Sequence, residues 1–153
     1  MIAGARIWVT VLVVLLAAPA AASSLKPTGV WLSGKKKVAI RIYDCGDQLC
    51  GRIVWLKKPL DKAGRLKRDE NNPDLAARDR PLCGVAIVVG LEPREPGLWD
   101  GGTIYNPQDG QTYSGLIRIE SEDTLKVRGY IGIPLLGKSE TWTRMEEPAD
   151  SCG

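Results

Sequence analysis

The residues able to do chemistry in this chain are carboxylates, guanidiniums, amides and thiols, because its 153 residues include no histidine. That absence removes Ser-His-Asp and Cys-His catalysis, imidazole bases and imidazole metal ligands. No serine stands in a G-x-S-x-G nucleophile elbow. Gly101-Gly102 does not sit in the strand–loop–helix setting of a phosphate-binding turn and reads as a bulge or turn. The densest polar chemistry is Asp69-Glu70-Asn71-Asn72-Pro73-Asp74, followed by Arg78 and Arg80. Asp69, Asn71 and Asp74 carry oxygens of the kind Ca2+ takes, but the segment lacks the glycine and distal glutamate of an EF-hand loop. Local turn hydrogen bonds from Asn and Asp are the simpler reading. No metal and no cofactor is expected.

Cys45, Cys50, Cys83 and Cys152 allow three disulfide connectivities. Cys45 and Cys50 flank a four-residue turn, which brings their ends within bridging distance, so they pair. Cys83 and Cys152 then pair by elimination and tie the C-terminus to the body. Cys-x4-Cys is not a C-x-x-C spacing and has no histidine to help it, which argues against a metal or redox pair.

The elements that must position these groups are strands. Period-2 alternation dominates after residue 22, and no long helical pattern appears. Strands are expected at 29–33, 37–43, 52–57, 85–89, 103–105, 112–119, 125–130 and 139–145. The run 85–89 is apolar throughout and reads as buried on both faces or covered by a loop. Asn106-Pro107-Gln108-Asp109-Gly110 is a turn, and Gly115 and Gly129 within strands mark bends or bulges. About eight antiparallel strands with internal bends suit a small barrel without sheet edges, a sandwich being the alternative. Two stretches fall outside this pattern. Residues 58–82 form a long polar connection with one short helical turn near residues 75–78, capped by Asp74. Residues 130–137 are apolar but broken by Gly and Pro; they read as a plug for one end of the core, or else as a lid or contact patch.

The N-terminus carries one basic residue, Arg6, an apolar run over 7–16 and Ala20-Ala21-Ala22, the layout of a cleaved secretory signal. Pro19 interrupts the run short of a membrane span. Cleavage near Ala22 leaves one domain, 23–153, with 20 basic against 18 acidic residues. Export to the periplasm or the medium suits the cysteines. Lys35-Lys36-Lys37, with Lys57, Lys58, Lys62, Arg65, Lys67 and Arg68, makes a mildly basic region. It is too weak and too poor in stacking aromatics for nucleic acid. A lysine-guarded edge strand is the plain reading, and peripheral contact with an anionic membrane surface is the functional one.

Ordered motifs then carry a resemblance. These are Gly29-x-Trp31, Cys45-Gly46, Leu49-Cys50-Gly51-x-Ile53-Val54-Trp55-Leu56, Asp69-x-Asn71-Asn72-Pro73-Asp74 and Arg78-x-Arg80-Pro81-Leu82-x-Gly84. They continue through Trp99-x-Gly101-Gly102-x-Ile104-Tyr105-x-Pro107-x-Asp109-Gly110-x-Thr112-Tyr113, Leu125-x-Val127-Arg128-Gly129-Tyr130 and Thr141-Trp142-x-Arg144. The chain resembles the bacterial domain of unknown function DUF2147 from about residue 29 to 144. That resemblance implies a small exported bacterial protein with no assigned activity. A looser similarity is to lipocalin-like barrels, in which a G-x-W on the first strand meets a basic residue near the last. It implies a structural role for Trp31, Trp142 and Arg144, with the guanidinium over an indole ring.

The function expected is a non-enzymatic binding or interaction module of the cell envelope, monomeric, holding a small apolar or amphipathic ligand or a protein partner. The candidate ligand-binding residues are Asn71, Asn72, Asp74, Arg78 and Arg80 on the loop, with Tyr105 and Tyr130 at the barrel mouth. The alternatives are a carboxylate- or arginine-based enzyme at 69–80 and a purely structural envelope protein. A hollow barrel favours a ligand; a filled one moves attention to the loop surface.

Overall fold

The alternating apolar residues become the inward face of one closed sheet. The computed structural model describes residues 25–148 and Cys152, and the expected signal segment lies outside the described residues. The strands are β1 (Gly29–Leu32), β2 (Val38–Cys45), β3 (Gln48–Leu56), β4 (Ala86–Glu95), β5 (Leu98–Asn106), β6 (Gln111–Ser121), β7 (Thr124–Tyr130) and β8 (Lys138–Met145). Each pairs antiparallel with the next, and β8 returns to β1 to close the barrel. Closure satisfies every strand edge, so the lysine run at 35–37 lies in a turn and guards no edge.

The up-and-down order sends the β1–β2, β3–β4, β5–β6 and β7–β8 connections to one end, here the loop-bearing end. The other connections, the start of β1 and the end of β8 lie at the opposite end. That opposite end is shut by Trp31 and Arg144. The Arg144 guanidinium carbon sits 4.2 Å from the centre of the Trp31 ring. The same side chain donates to the carbonyls of Glu122 and Thr28, and the Trp31 indole donates to Pro27 O at 2.8 Å.

The interior is filled. Buried side chains from all eight strands, among them Trp31, Ile42, Leu49, Leu91, Trp99, Ile117, Leu125 and Trp142, form one cluster. Two strand glycines show how tightly. A Cβ on Gly115 would lie 2.8 Å from Ile104 Cγ1, and one on Gly51 would lie 3.1 Å from Val88 Cβ. Space that a calyx keeps for a ligand is here taken by Trp, Leu, Ile and Val. The disulfides are Cys45–Cys50 across the β2–β3 turn and Cys83–Cys152, which fixes the C-terminus beside the start of β4. Disulfides of this kind belong to an oxidising, extracytoplasmic setting.

Two further sequence expectations are corrected. The run 85–89 is not buried on both faces: Val85, Ile87 and Val88 point inward, whereas Ala86 is exposed and Val89 is 48% exposed. Branched apolar residues suit either face of a strand, so composition alone does not show the alternation. The strand also runs on through Gly90 and Pro93 to Glu95. Residues 130–137 do not plug the core. Ile131, Ile133, Leu135 and Leu136 all face solvent, Leu135 at 82% exposure, because the filled interior leaves no room for them.

Candidate functional site

The long β3–β4 connection is an ordered strap across the loop-bearing end. Isolated bridges Leu60–Leu66 and Arg68–Pro81 fold it into two short antiparallel arms. A 3-10 turn, Leu75–Ala77, follows Asp74, whose carboxylate accepts from Ala76 N at 3.0 Å. Asp74 is therefore a cap.

Asp69 is the hub of the strap. It is fully buried, and both of its carboxylate oxygens accept hydrogen bonds. Tyr105 Oη donates to Oδ1 at 2.7 Å; Asn72 Nδ2 at 2.8 Å and Arg80 Nη2 at 3.1 Å donate to Oδ2. Burial pushes the carboxyl pKa up, but donation from Tyr105, Asn72 and Arg80 and the charge of Arg80 outweigh it and hold Asp69 below the usual carboxylate range. The same contact, after burial, pushes the Tyr105 phenol up to about 12. Asn71 Nδ2 reaches the carbonyls of Pro107 and Gln108, both at 3.1 Å. Gly110, at φ 71°, lets the β5–β6 turn approach so closely that any Cβ there would overlap the Asn71 carbonyl oxygen. The motif around Asn71-Asn72-Pro73-Asp74 thus locks the strap onto the barrel.

Of the expected ligand-binding residues, the structure brings together Asn71, Asn72, Arg80 and Tyr105 around Asp69, with Arg78 beside them through a 2.7 Å bond from Nε to Asn72 O. Tyr130 is not among them; it ends β7 beside Gly137. Asp69, Asn71 and Asp74 do not converge. Asp69 is enclosed by donors, Asn71 turns its amide nitrogen to the β5–β6 turn, and Asp74 caps. The hub itself, Asp69, escapes a reading by polar density because one buried carboxylate looks like its exposed neighbours in sequence. The only signal for it is its place at the head of the Asn-Asn-Pro-Asp motif.

Outside this network the strap holds a cleft of about 340 Å3 lined by Asp61, Arg65, Arg68, Glu70, Arg78 and Asp79. Arg65 is paired with Asp61 and Arg68 with Asp79. Glu70 makes no ion pair among the described residues, and Arg78 none either. At the same end of the barrel, the β7–β8 loop is held by Arg128. Its guanidinium donates to Pro134 O, Leu135 O and Ser139 Oγ. The loop is built around a 3-10 turn, Pro134–Leu136, with no buried side chain.

Comparison with known proteins follows the fold. A solved structure of protein HP1028 from Helicobacter pylori, described as belonging to the lipocalin family, superposes with a TM-score of 0.69 at 22% identity. The match covers 80% of this chain and 85% of that one. At this identity the likeness is one of fold: a lipocalin-like barrel. No curated protein matches the sequence. The model of the bacterial family DUF2147, described as an uncharacterised protein conserved in bacteria, matches residues 29–144, and the chain belongs to that family.

Proposed function

We propose that this protein is a non-catalytic, extracytoplasmic interaction module that meets its partner through the loop-bearing end of a filled barrel. The observation that carries this reading is the interior, closed by side chains from every strand down to Gly51 and Gly115. A carrier needs a cavity of roughly 300 Å3 or more for its ligand, so recognition moves to the surface. The Asp69 network supports the same reading over an enzyme. A carboxylate that already accepts from Tyr105, Asn72 and Arg80, and is shifted down, lacks the raised pKa of a general base. Its role is to hold the strap in one shape. Export by the N-terminal signal, residence in the periplasm or medium and a monomeric state belong to the same reading.

A second reading rests on the strap cleft. Arg78 and Glu70 both line it, a pair suited to a small zwitterion carrying an acid and an amine.

Photo-crosslinking in intact cells tests the main reading. A photoreactive residue at Leu135 is expected to give adducts that one at Arg118, on the barrel wall, does not. Native mass spectrometry of protein from its own host, showing an apolar molecule bound one-to-one, would overturn it.

A further inference from the structure

The small net charge of the chain, +3, hides a separation. The four connections at the loop-bearing end, residues 33–37, 57–85, 107–110 and 131–137, hold eleven basic and six acidic residues, a net of +5. The opposite connections and described tails, residues 25–28, 46–47, 96–97, 122–123 and 146–148, hold one basic and five acidic, a net of −4. The ion pairs at the basic end use arginine: Arg65–Asp61, Arg68–Asp79 and Arg80–Asp69. Its seven lysines, at 35–37, 57, 58, 62 and 67, make no ion pair among the described residues.

Apolar exposure gathers at the same end. Of the ten exposed large hydrophobic residues among the described residues, seven lie there. Four belong to the β7–β8 loop, and Leu135 and Leu136 are 82% and 76% exposed. Side chains within a flat apolar patch shield one another; exposure this high describes a projecting tip. Much of the backbone of that tip is already hydrogen-bonded. Arg128 takes the carbonyls of Pro134 and Leu135, and Leu136 N donates to Ile133 O. Such a loop enters a medium poor in water at little cost in lost hydrogen bonds. Projecting leucines, hydrogen-bonded carbonyls and unpaired lysines at the same end together match the interface of a bilayer with anionic headgroups, where apolar insertion and charge attraction add.

We propose that the loop-bearing end docks on an anionic lipid bilayer, Leu135 and Leu136 entering the headgroup–acyl boundary while the lysines of the β1–β2 turn and the strap meet the lipid phosphates. This rests on the reading of that end as the contact surface and names its partner. The lysines supply long-range attraction that salt screens within about 10 Å at 0.1 M; the leucines supply the part that salt does not remove.

Vesicle co-sedimentation tests it, using protein recovered after export from cells expressing the full chain. Vesicles are phosphatidylcholine alone or with about 30% phosphatidylglycerol. Binding is expected to the anionic vesicles and to fall steeply as salt is raised. Leu135→Ser/Leu136→Ser lowers partitioning about tenfold or more. Lys35→Gln/Lys58→Gln/Lys62→Gln lowers it about a hundredfold, near fivefold per cation, on anionic vesicles only. The charge-matched Lys26→Gln/Lys126→Gln/Arg118→Gln changes it by less than about threefold, because those cations lie away from the docking end. Lys35, Lys58 and Lys62 make no ion pair among the described residues, and all six sites lie on the surface; circular dichroism checks that each variant folds. Equal affinity for neutral vesicles, absence of binding to anionic ones, or a dimer abolished by Leu135→Ser/Leu136→Ser overturns the proposal. Failure of vesicle binding alongside a protein adduct at Leu135 removes the lipid and leaves the contact end; no adduct of any kind at Leu135 removes both.

Discussion

The Tyr105 hydroxyl donates a 2.7 Å hydrogen bond to Oδ1 of Asp69, a carboxylate with no exposure to solvent. One contact thus joins the strap to β5. Tyr105→Phe removes the donor and leaves a buried charged oxygen short of a partner, a loss of about 1–3 kcal/mol. Hydrogen exchange is expected to quicken at the amides of Asp69 and Asn72, which donate within the strap, and not in the middle of β6. Uniform quickening across the barrel would mean that the strap and barrel unfold as one unit.

The Asp69 carboxyl is held below its ordinary value, so it stabilises the fold above the unfolded pKa of about 4, and that contribution fades as pH falls through the folded value. Asp69→Asn is therefore expected to be less stable than the native chain at pH 7, with the gap closing below about pH 4. Urea titrations across that range measure it; a gap constant to pH 2 would assign the loss to packing. On the alkaline side the sign reverses. Tyr105 is raised to about 12, so its contribution is complete below the unfolded value near 10 and drains away between about 10 and 12.

Arg144 covers the Trp31 ring and holds two backbone carbonyls. Arg144→Ala is expected to cost about 1–3 kcal/mol, from the ring contact and the lost charged donors. Arg144→Lys recovers less than half of that, because an ammonium cannot stack flat on the indole while reaching both oxygens. Chemical denaturation followed by tryptophan fluorescence gives both values. Full rescue by lysine would show that charge alone matters.

The two disulfides close loops of very different length, with sequence separations of 5 and 69. Loop-closure entropy gives about 2 kcal/mol to Cys45–Cys50 and about 4 kcal/mol to Cys83–Cys152. Comparing Cys45→Ser/Cys50→Ser with Cys83→Ser/Cys152→Ser in urea tests the order. An equal loss would point to enthalpy at the turn.

The filled barrel has its own test in Gly115→Ala. The new methyl meets Ile104 and Leu91, so a cost of about 1–3 kcal/mol is expected from overpacking. A hollow barrel would accept the methyl without loss, and thermal denaturation distinguishes the two.

Much of this architecture is legible in the chain. Val38, Ile40 and Ile42 alternate with polar or small neighbours, and the cysteine spacing around a four-residue turn fixes one bridge; both rest on local geometry. The Trp31–Arg144 closure was readable through resemblance. What stays hidden depends on distant partners. Val89 faces outward only because β5 and the barrel's curvature set its face. Leu135 and Leu136 look like core residues until the interior is seen to be full. At the strap, the polar cluster was visible, but the rank within it was not. Asp69 became the hub because Tyr105, 36 residues away, lies beneath it.

The barrel closes along a short seam. Seven of its eight pairings join strands consecutive in sequence, whereas β1 meets β8 through Val30–Met145, Trp31–Arg144 and Leu32–Thr143 alone. Consecutive pairings form early because their loops are short, and the seam waits for the whole chain to be laid down. The clasp of Trp31 and Arg144 therefore sits on the last joint to be made during folding, one held by only three strand pairs. Opening of the molecule, whenever it occurs, starts as an unzipping there and spares the loop-bearing end, whose strap and turns are tied together independently of that joint.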